Sequence, residues 1–199
     1  MTNRIYLCLL IAFLTLTTSA FAKVTFYGDI FGGGGNGKAK AGSDASSPEM
    51  THVFGGITYG LNIAETFVVG GTSDYRSVSQ RTASNALTFG NRSGTRINVF
   101  SPTLIIDLQK AFVKADYQFI GNYELTNSTA TGQKISYQAP KGYRGQLGFY
   151  FSKNKDAFLS LYYEALEFGS EQVGTAAAKT LTNKLRLNSY GVIFGLILF

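Results

Sequence analysis

The 199-residue chain has a single cysteine, Cys8, near its start. A disulfide-held scaffold is therefore excluded. It has one histidine and no tryptophan, and only three prolines. One histidine without a later cysteine cannot build a closed zinc site. Charged residues make up 15% of the chain, well below the ~25% usual in soluble domains. Beyond residue 22 no stretch approaches the ~18 uninterrupted apolar residues of a spanning helix. Disorder is excluded from the other side, by 45% hydrophobic and 14% aromatic content. The positive excess is mild, and no Lys/Arg run interleaves with aromatics, so nucleic acid is not an expected partner. What the chain does have is 23 glycines, 16 phenylalanines and 12 tyrosines, the composition of a glycine-rich, aromatic-rich β protein.

The N-terminus reads as an address. Arg4 precedes an apolar run from Ile5 to Leu16, then Thr17-Thr18-Ser19 and Ala20-Phe21-Ala22. This is the layout of a cleaved secretory signal peptide over residues 1–22, with the remaining 23–199 forming one domain.

Period-two alternation dominates that domain. From Val113 to Leu125, one face carries Val113, Ala115, Tyr117, Phe119, Tyr123 and Leu125. The other carries Lys114, Asp116, Gln118, Asn122 and Glu124, with Ile120 out of place. Successive strand side chains point to opposite faces, so such a segment has one apolar and one charged side. Eight segments are expected, near 24–34, 50–62, 66–77, 95–107, 111–124, 142–152, 157–168 and 185–199. Their connections alternate. Short turns are expected near 62–65, 107–110 and 153–156. Long polar loops are expected over 38–49, 78–94, 126–141 and 169–184. Long on one side and short on the other is the layout of an outer-membrane barrel. Strands of about 10–13 residues also suit a tilted membrane strand.

Alternation alone fits a soluble lipocalin-like barrel as well, with the apolar face inside. Export, the lack of Trp and of a terminal helix, and the ending favour the membrane. The chain closes Tyr190-Gly-Val-Ile-Phe-Gly-Leu-Ile-Leu-Phe199. Tyr190, Ile193, Ile197 and the terminal Phe199 resemble the C-terminal β-signal of bacterial outer-membrane proteins. With that ending, residues 23–199 resemble the small eight-stranded barrels of the OmpA/OmpX type. The resemblance implies an all-β, antiparallel, up-and-down transmembrane β-barrel with both termini periplasmic. It further implies outer-membrane lipid as surroundings and the barrel-assembly machinery as a partner during insertion. Tyr59, Phe67, Tyr117, Tyr123, Tyr143 and Tyr163 fall on expected outer faces, where tyrosine suits a membrane interface.

Facing Phe199 outward assigns the opposite face to the lumen. Asp29, Asp74, Asp116, Glu124 and Glu164 then face Arg76, Arg96, Lys114, Arg144 and Arg186 inside. Such balance is expected where charges are buried, because an eight-stranded barrel is only wide enough for its own side chains. Arg144 and Glu164 lie equally far from a turn centred on Asn154, so they should stand opposite one another and pair. Leu104, Ile105 and Ile106 are apolar on both faces. On the last strand Tyr190, Val192, Phe194, Leu196 and Leu198 would point inward. Together these suggest an apolar floor or a site for an acyl chain at the periplasmic end. Gly28, Gly55, Ser189, Gly191 and Gly195 would form an outward face of small residues suited to self-association, or simply relieve crowding in a tight barrel.

No catalytic, cofactor or metal site is expected. His52 reads as a rim residue without an orienting partner. Gly32-Gly-Gly-Gly-Asn-Gly37 lacks the GK[ST] ending and helix of a phosphate loop. The leading expectation is a non-enzymatic outer-membrane scaffold with interacting surface loops. A porin-like pore, single or oligomeric, and a lipid-handling barrel are the alternatives.

Overall fold

In a computed structural model, the described residues are 23–41, 49–81, 92–127 and 134–199. The expected signal segment, residues 1–22, and the tips of the first three long connections lie outside them. The chain forms β1 (Val24–Ala41), β2 (Glu49–Ile63), β3 (Phe67–Arg81), β4 (Arg92–Asp107), β5 (Ala111–Gln118), β6 (Ile120–Asn127), β7 (Lys134–Tyr150), β8 (Ala157–Val173) and β9 (Lys179–Ile197). Only Phe119 separates β5 from β6, and both pair with β4 and β7. They act as one stave. Each stave pairs antiparallel with its chain neighbours, and β9 returns to β1. The result is a closed eight-stave antiparallel meander. Closure leaves no sheet edge with unpaired backbone groups.

Three tight turns gather at one end, together with the start of β1 and the end of β9. Ala64, Glu65, Gln109 and Lys155 take positive φ there, as tight reversals demand. The opposite end differs from expectation. The long stretches are in good part strand: β8 runs to Val173, β9 begins at Lys179, and only a five-residue turn joins them. Strands of 15–19 residues replace the expected 10–13 in β1–β4 and β7–β9. Polar residues do not end a strand when ladder hydrogen bonds continue, and Gly-, Ser- and Thr-rich composition reads as loop all the same.

Alternation assigns the faces cleanly in β2 and β3, where even-numbered residues point inward. It breaks in two adjacent places. Val99 and Phe100 on β4, and Phe119 and Ile120 between β5 and β6, both turn outward in succession. The ladder register shifts at the first pair, the mark of a β-bulge that inserts one residue. Past the bulge the faces exchange. Tyr123 and Leu125 are buried in the lumen. Glu124, expected inside, is outside, with its carboxylate 2.7 Å from Lys134.

The last strand also corrects the expectation. Leu187, Ser189, Ile193 and Gly195 face the lumen, while Tyr190, Val192, Phe194, Leu196 and Leu198 are exposed. Arg186 is therefore outside, 2.8 Å from Glu167. Where Phe158 and Tyr162 crowd the narrow lumen, the facing positions are the small residues Gly195 and Gly191, while the large residues that alternate with them face outward. Phe199 lies beyond β9. Its ring nevertheless covers the outward side of Gly28, where an added Cβ would lie 2.8 Å from it. The Phe199 carbonyl accepts from the Gly28 amide at 2.9 Å, and the Leu198 amide donates back to Gly28 at 2.8 Å.

Candidate functional site

The lumen is filled in three layers. At its waist, three arginines and three carboxylates interlock. Arg76 Nη2 donates to Glu164 Oε2 at 2.8 Å, and Arg96 grips both oxygens of the same carboxylate. Arg144 reaches Asp74 at 3.0 Å and Asp116 at 2.8 Å. Asp74 also receives Arg76 Nε at 3.2 Å. The remaining lone pairs are taken by neutral donors. Gln118 and Ser189 donate to Glu164, Thr103 to Asp116 and Asn98 to Asp74. Low dielectric strengthens each of these bonds and makes any unpaired member costly.

Lys114 and Asp29 complete the buried charges. Lys114 Nζ donates to Thr58 Oγ1 at 2.5 Å and sits 5.1 Å from the Phe31 ring centroid. Asp29 accepts from the Tyr27 hydroxyl at 2.8 Å. Four acids thus meet four bases inside. Eight of the ten expected lumen charges are there, and the two that are not, Glu124 and Arg186, differ in sign, so the balance is kept. Arg144 and Glu164 do stand opposite each other in the register. Their charges, however, are spent elsewhere: Arg144 is held by Asp116, its register neighbour on the other side, and by Asp74 from across the lumen, and Glu164 by Arg76 and Arg96.

Apolar side chains close the waist on both sides. Toward the short-turn end lie Phe31, Phe54, Val68, Ile105, Phe112, Phe158, Tyr162 and Ile193. Phe112 and Phe158 meet edge to face, with centroids 5.1 Å apart. This layer includes Ile105, as expected, but takes Ile193 rather than Val192 and Phe194 from the last strand. Toward the long-loop end a second layer holds Met50, Val78, Tyr123, Leu125, Leu166, Phe168, Leu185 and Leu187. Sequence reasoning missed it. Its signal lies in the expected segments themselves, at Met50, Leu166 and Phe168, but Tyr123, Leu185 and Leu187 fall on faces expected to point outward.

His52 is not at an exposed rim. It is buried among the rings of Phe54 and Tyr162. Nε2 bonds the Tyr162 hydroxyl, and Nδ1 has no partner. Among the described residues no group of acids, histidines or cysteines could hold a metal ion.

The outer surface is the inverse of the waist. Ile30, Val53, Ile57, Val69, Val113, Leu147, Leu161 and Phe194 are all exposed. Around the staves, the outward positions of this band carry no charged residue among those described. Tyr59, Phe67, Tyr117, Tyr143 and Tyr163 also face out, whereas Tyr123 is fully buried. Of the five small residues grouped as an outward face, Gly55 is exposed and Gly28 is covered by Phe199. Ser189, Gly191 and Gly195 point inward. At the closing seam, a side chain on Gly191 would strike the Gly34 carbonyl, and one on Gly35 the Tyr190 carbonyl. Their role is to let β1 and β9 approach.

Among solved structures, the chain resembles the crystal structure of Neisserial surface protein A, an eight-stranded outer-membrane barrel. The TM-score is 0.51 at 13% identity, over 87% of this chain and 98% of that one. The fold is that of a small outer-membrane barrel. No family model and no curated protein matches the sequence. Outer-membrane barrels of this fold present such an apolar band to lipid; no helix among the described residues is long and apolar enough to cross a membrane, which says nothing of a β-barrel.

Proposed function

We propose that the chain is a non-conducting integral protein of the bacterial outer membrane, with its short turns and termini in the periplasm. In this reading it presents a stiff, charged extension at the cell surface. The sealed lumen carries this reading. Exposure is 0% at Arg144 and Glu164, 2% at Arg76 and 4% at Arg96. A continuous water path through the waist would have to wet these groups, so a pore is disfavoured. The outward apolar band supports the membrane location. Its height is also informative. A 17-residue strand such as β7, at about 3.3 Å per residue and a tilt of about 40°, rises roughly 43 Å. That exceeds the ~25 Å apolar band of such barrels. The excess lies toward the long-loop end, where Lys40, Arg186 and Glu167 replace apolar outward residues. We read this collar as the interacting part of a non-enzymatic envelope protein, since rigid scaffolds carry function on what they project.

The test is single-channel recording of refolded protein in a planar bilayer, with a heat-shift gel proving the fold. Silence from folded protein is expected. Discrete, reproducible steps would overturn the sealed-lumen reading and favour a pore.

A further inference from the structure

The outward face of the β1–β9 seam holds a polarity ladder with a gap in it. Register aligns Phe194 with Gly32 and Val192 with Gly34, and across β1 places Gly55 beside Gly32 and Val53 beside Gly34. Because β1 has no outward side chain there, a trough opens in an otherwise continuous apolar wall. Leu161, Val192 and Tyr190 flank it, and its volume is about 520 Å³. At Asn36 and Tyr190 it runs on into a second hollow of about 510 Å³, bordered by Lys38 and Glu49. The next row up carries Lys40, opposite Arg186.

Charge decides what suits this shape. Arg186 is engaged by Glu167. Lys38 and Lys40 are exposed, and among the described residues no carboxylate forms an ion pair with either. Glu49 is the register partner of Lys38, yet no bridge joins them. Tyr163 and Tyr190 pair at the level of Asn36, where aromatic side chains mark a membrane interface. Lys38 is two residues higher, a climb of about 5 Å at ordinary strand rise and tilt. An apolar trough ending at a tyrosine level, with two ammonium groups just above that meet no carboxylate among the described residues, is complementary to an acyl chain that ends in a phosphate.

We infer that this seam seats one phosphorylated lipid of the outer leaflet, its chain along Gly32 and Gly34 and its phosphate at Lys38 and Lys40. The inference rests on the outer-membrane reading above and names a ligand for it.

The experiment is native mass spectrometry of the full mature barrel released from nanodiscs. The probes are a bis-phosphorylated lipid A, its dephosphorylated counterpart with the same chains, and inorganic phosphate. Wild type should retain one phosphorylated lipid, at least tenfold more than the dephosphorylated form, and no free phosphate. The double variant Lys38→Gln/Lys40→Gln should lose that preference and retain both lipids equally. Gly34→Leu fills the trough. An added Cβ there lies 3.2 Å from the His52 carbonyl and 3.6 Å from Val53, so the barrel should fold and retain neither lipid. Lys141→Gln, on exposed β7 surface, should behave as wild type. Retention indifferent to phosphate, an equal loss in Lys141→Gln, or a lipid-independent dimer abolished by Gly34→Leu would overturn the site. A heat-shift gel on each variant separates these outcomes from misfolding. Failure of the wild type to enter nanodiscs would instead overturn the membrane reading.

Discussion

The waist of the barrel is filled by side chains that each need a particular partner, whereas the two apolar layers are filled mainly by side chains that need only a fit, with Tyr123 and Tyr162 bonded to Gln80 and His52. Glu164 serves Arg76, Arg96, Gln118 and Ser189 together. Phe168 packs by ring contact alone against Tyr123 and Tyr137. The difference teaches where the barrel is brittle. A polar layer in low dielectric is stable only when complete. An apolar layer loses stability in proportion to the volume removed. It also explains why three layers seal better than one, since opening any single layer leaves two others shut.

The sharpest way to break the comparison is Glu164→Leu. It removes the carboxylate that Arg76 and Arg96 share and leaves three buried guanidinium groups to two carboxylates, so a loss of about 3–5 kcal/mol or failure to fold is expected, read as the heat-shift midpoint in detergent. Gly191→Val tests the seam with a similar effect, because its side chain would meet the Gly34 carbonyl and keep β1 from β9. A folded, heat-modifiable Gly191→Val would contradict the seam geometry. Phe158→Ala should cost about 3 kcal/mol by cavity formation. It should nonetheless stay silent in a planar bilayer, because the waist still blocks the lumen. Channel steps in that variant would show that the short-turn plug alone does the sealing. His52→Phe should change stability by no more than about 1 kcal/mol, since it gives up one hydrogen bond but also removes an unpartnered buried nitrogen.

The smallest effect belongs to the collar. Hydrogen bonding from Lys184, then its charge and the bond from Arg186, hold the Glu167 carboxyl below the usual glutamate range. A depressed pKa in the folded state means that its contribution is present above the unfolded value. That contribution is lost as pH falls through the folded one. Titrating the midpoint of Glu167→Gln against wild type should show a slight difference near neutral pH that fades in acid and in high salt.

The same contrast explains what could be read beforehand. Where charged residues mark the inward face, as in β3, β5, β7 and β8, alternation gives the orientation, and the Arg144–Glu164 register follows from counting. The pairing within the network did not follow, because Arg76, Arg96 and Asp74 come from staves across the lumen, which no local spacing encodes. Alternation failed beyond Ile120. That residue was the visible exception, and a bulge is what makes an exception. It failed again in β9, where no inward charge marks the face and Phe199 is a misleading anchor: its ring turns outward over Gly28 after the strand has ended. The long-loop plug was hidden because Tyr123, Leu185 and Leu187 stand on faces expected to point outward, past the bulge and on the last strand.

The contact between Phe199 and Gly28 has a consequence for how the molecule is made. The first stave keeps one open edge until the last stave pairs with it, and open edges pair promiscuously. Joining the two ends requires ordering nearly the whole chain, the kind of long-range contact that folds slowly. The two staves that lie farthest apart in sequence must therefore find each other before either edge is hidden, and the closing seam is the last part of the cylinder to be shielded.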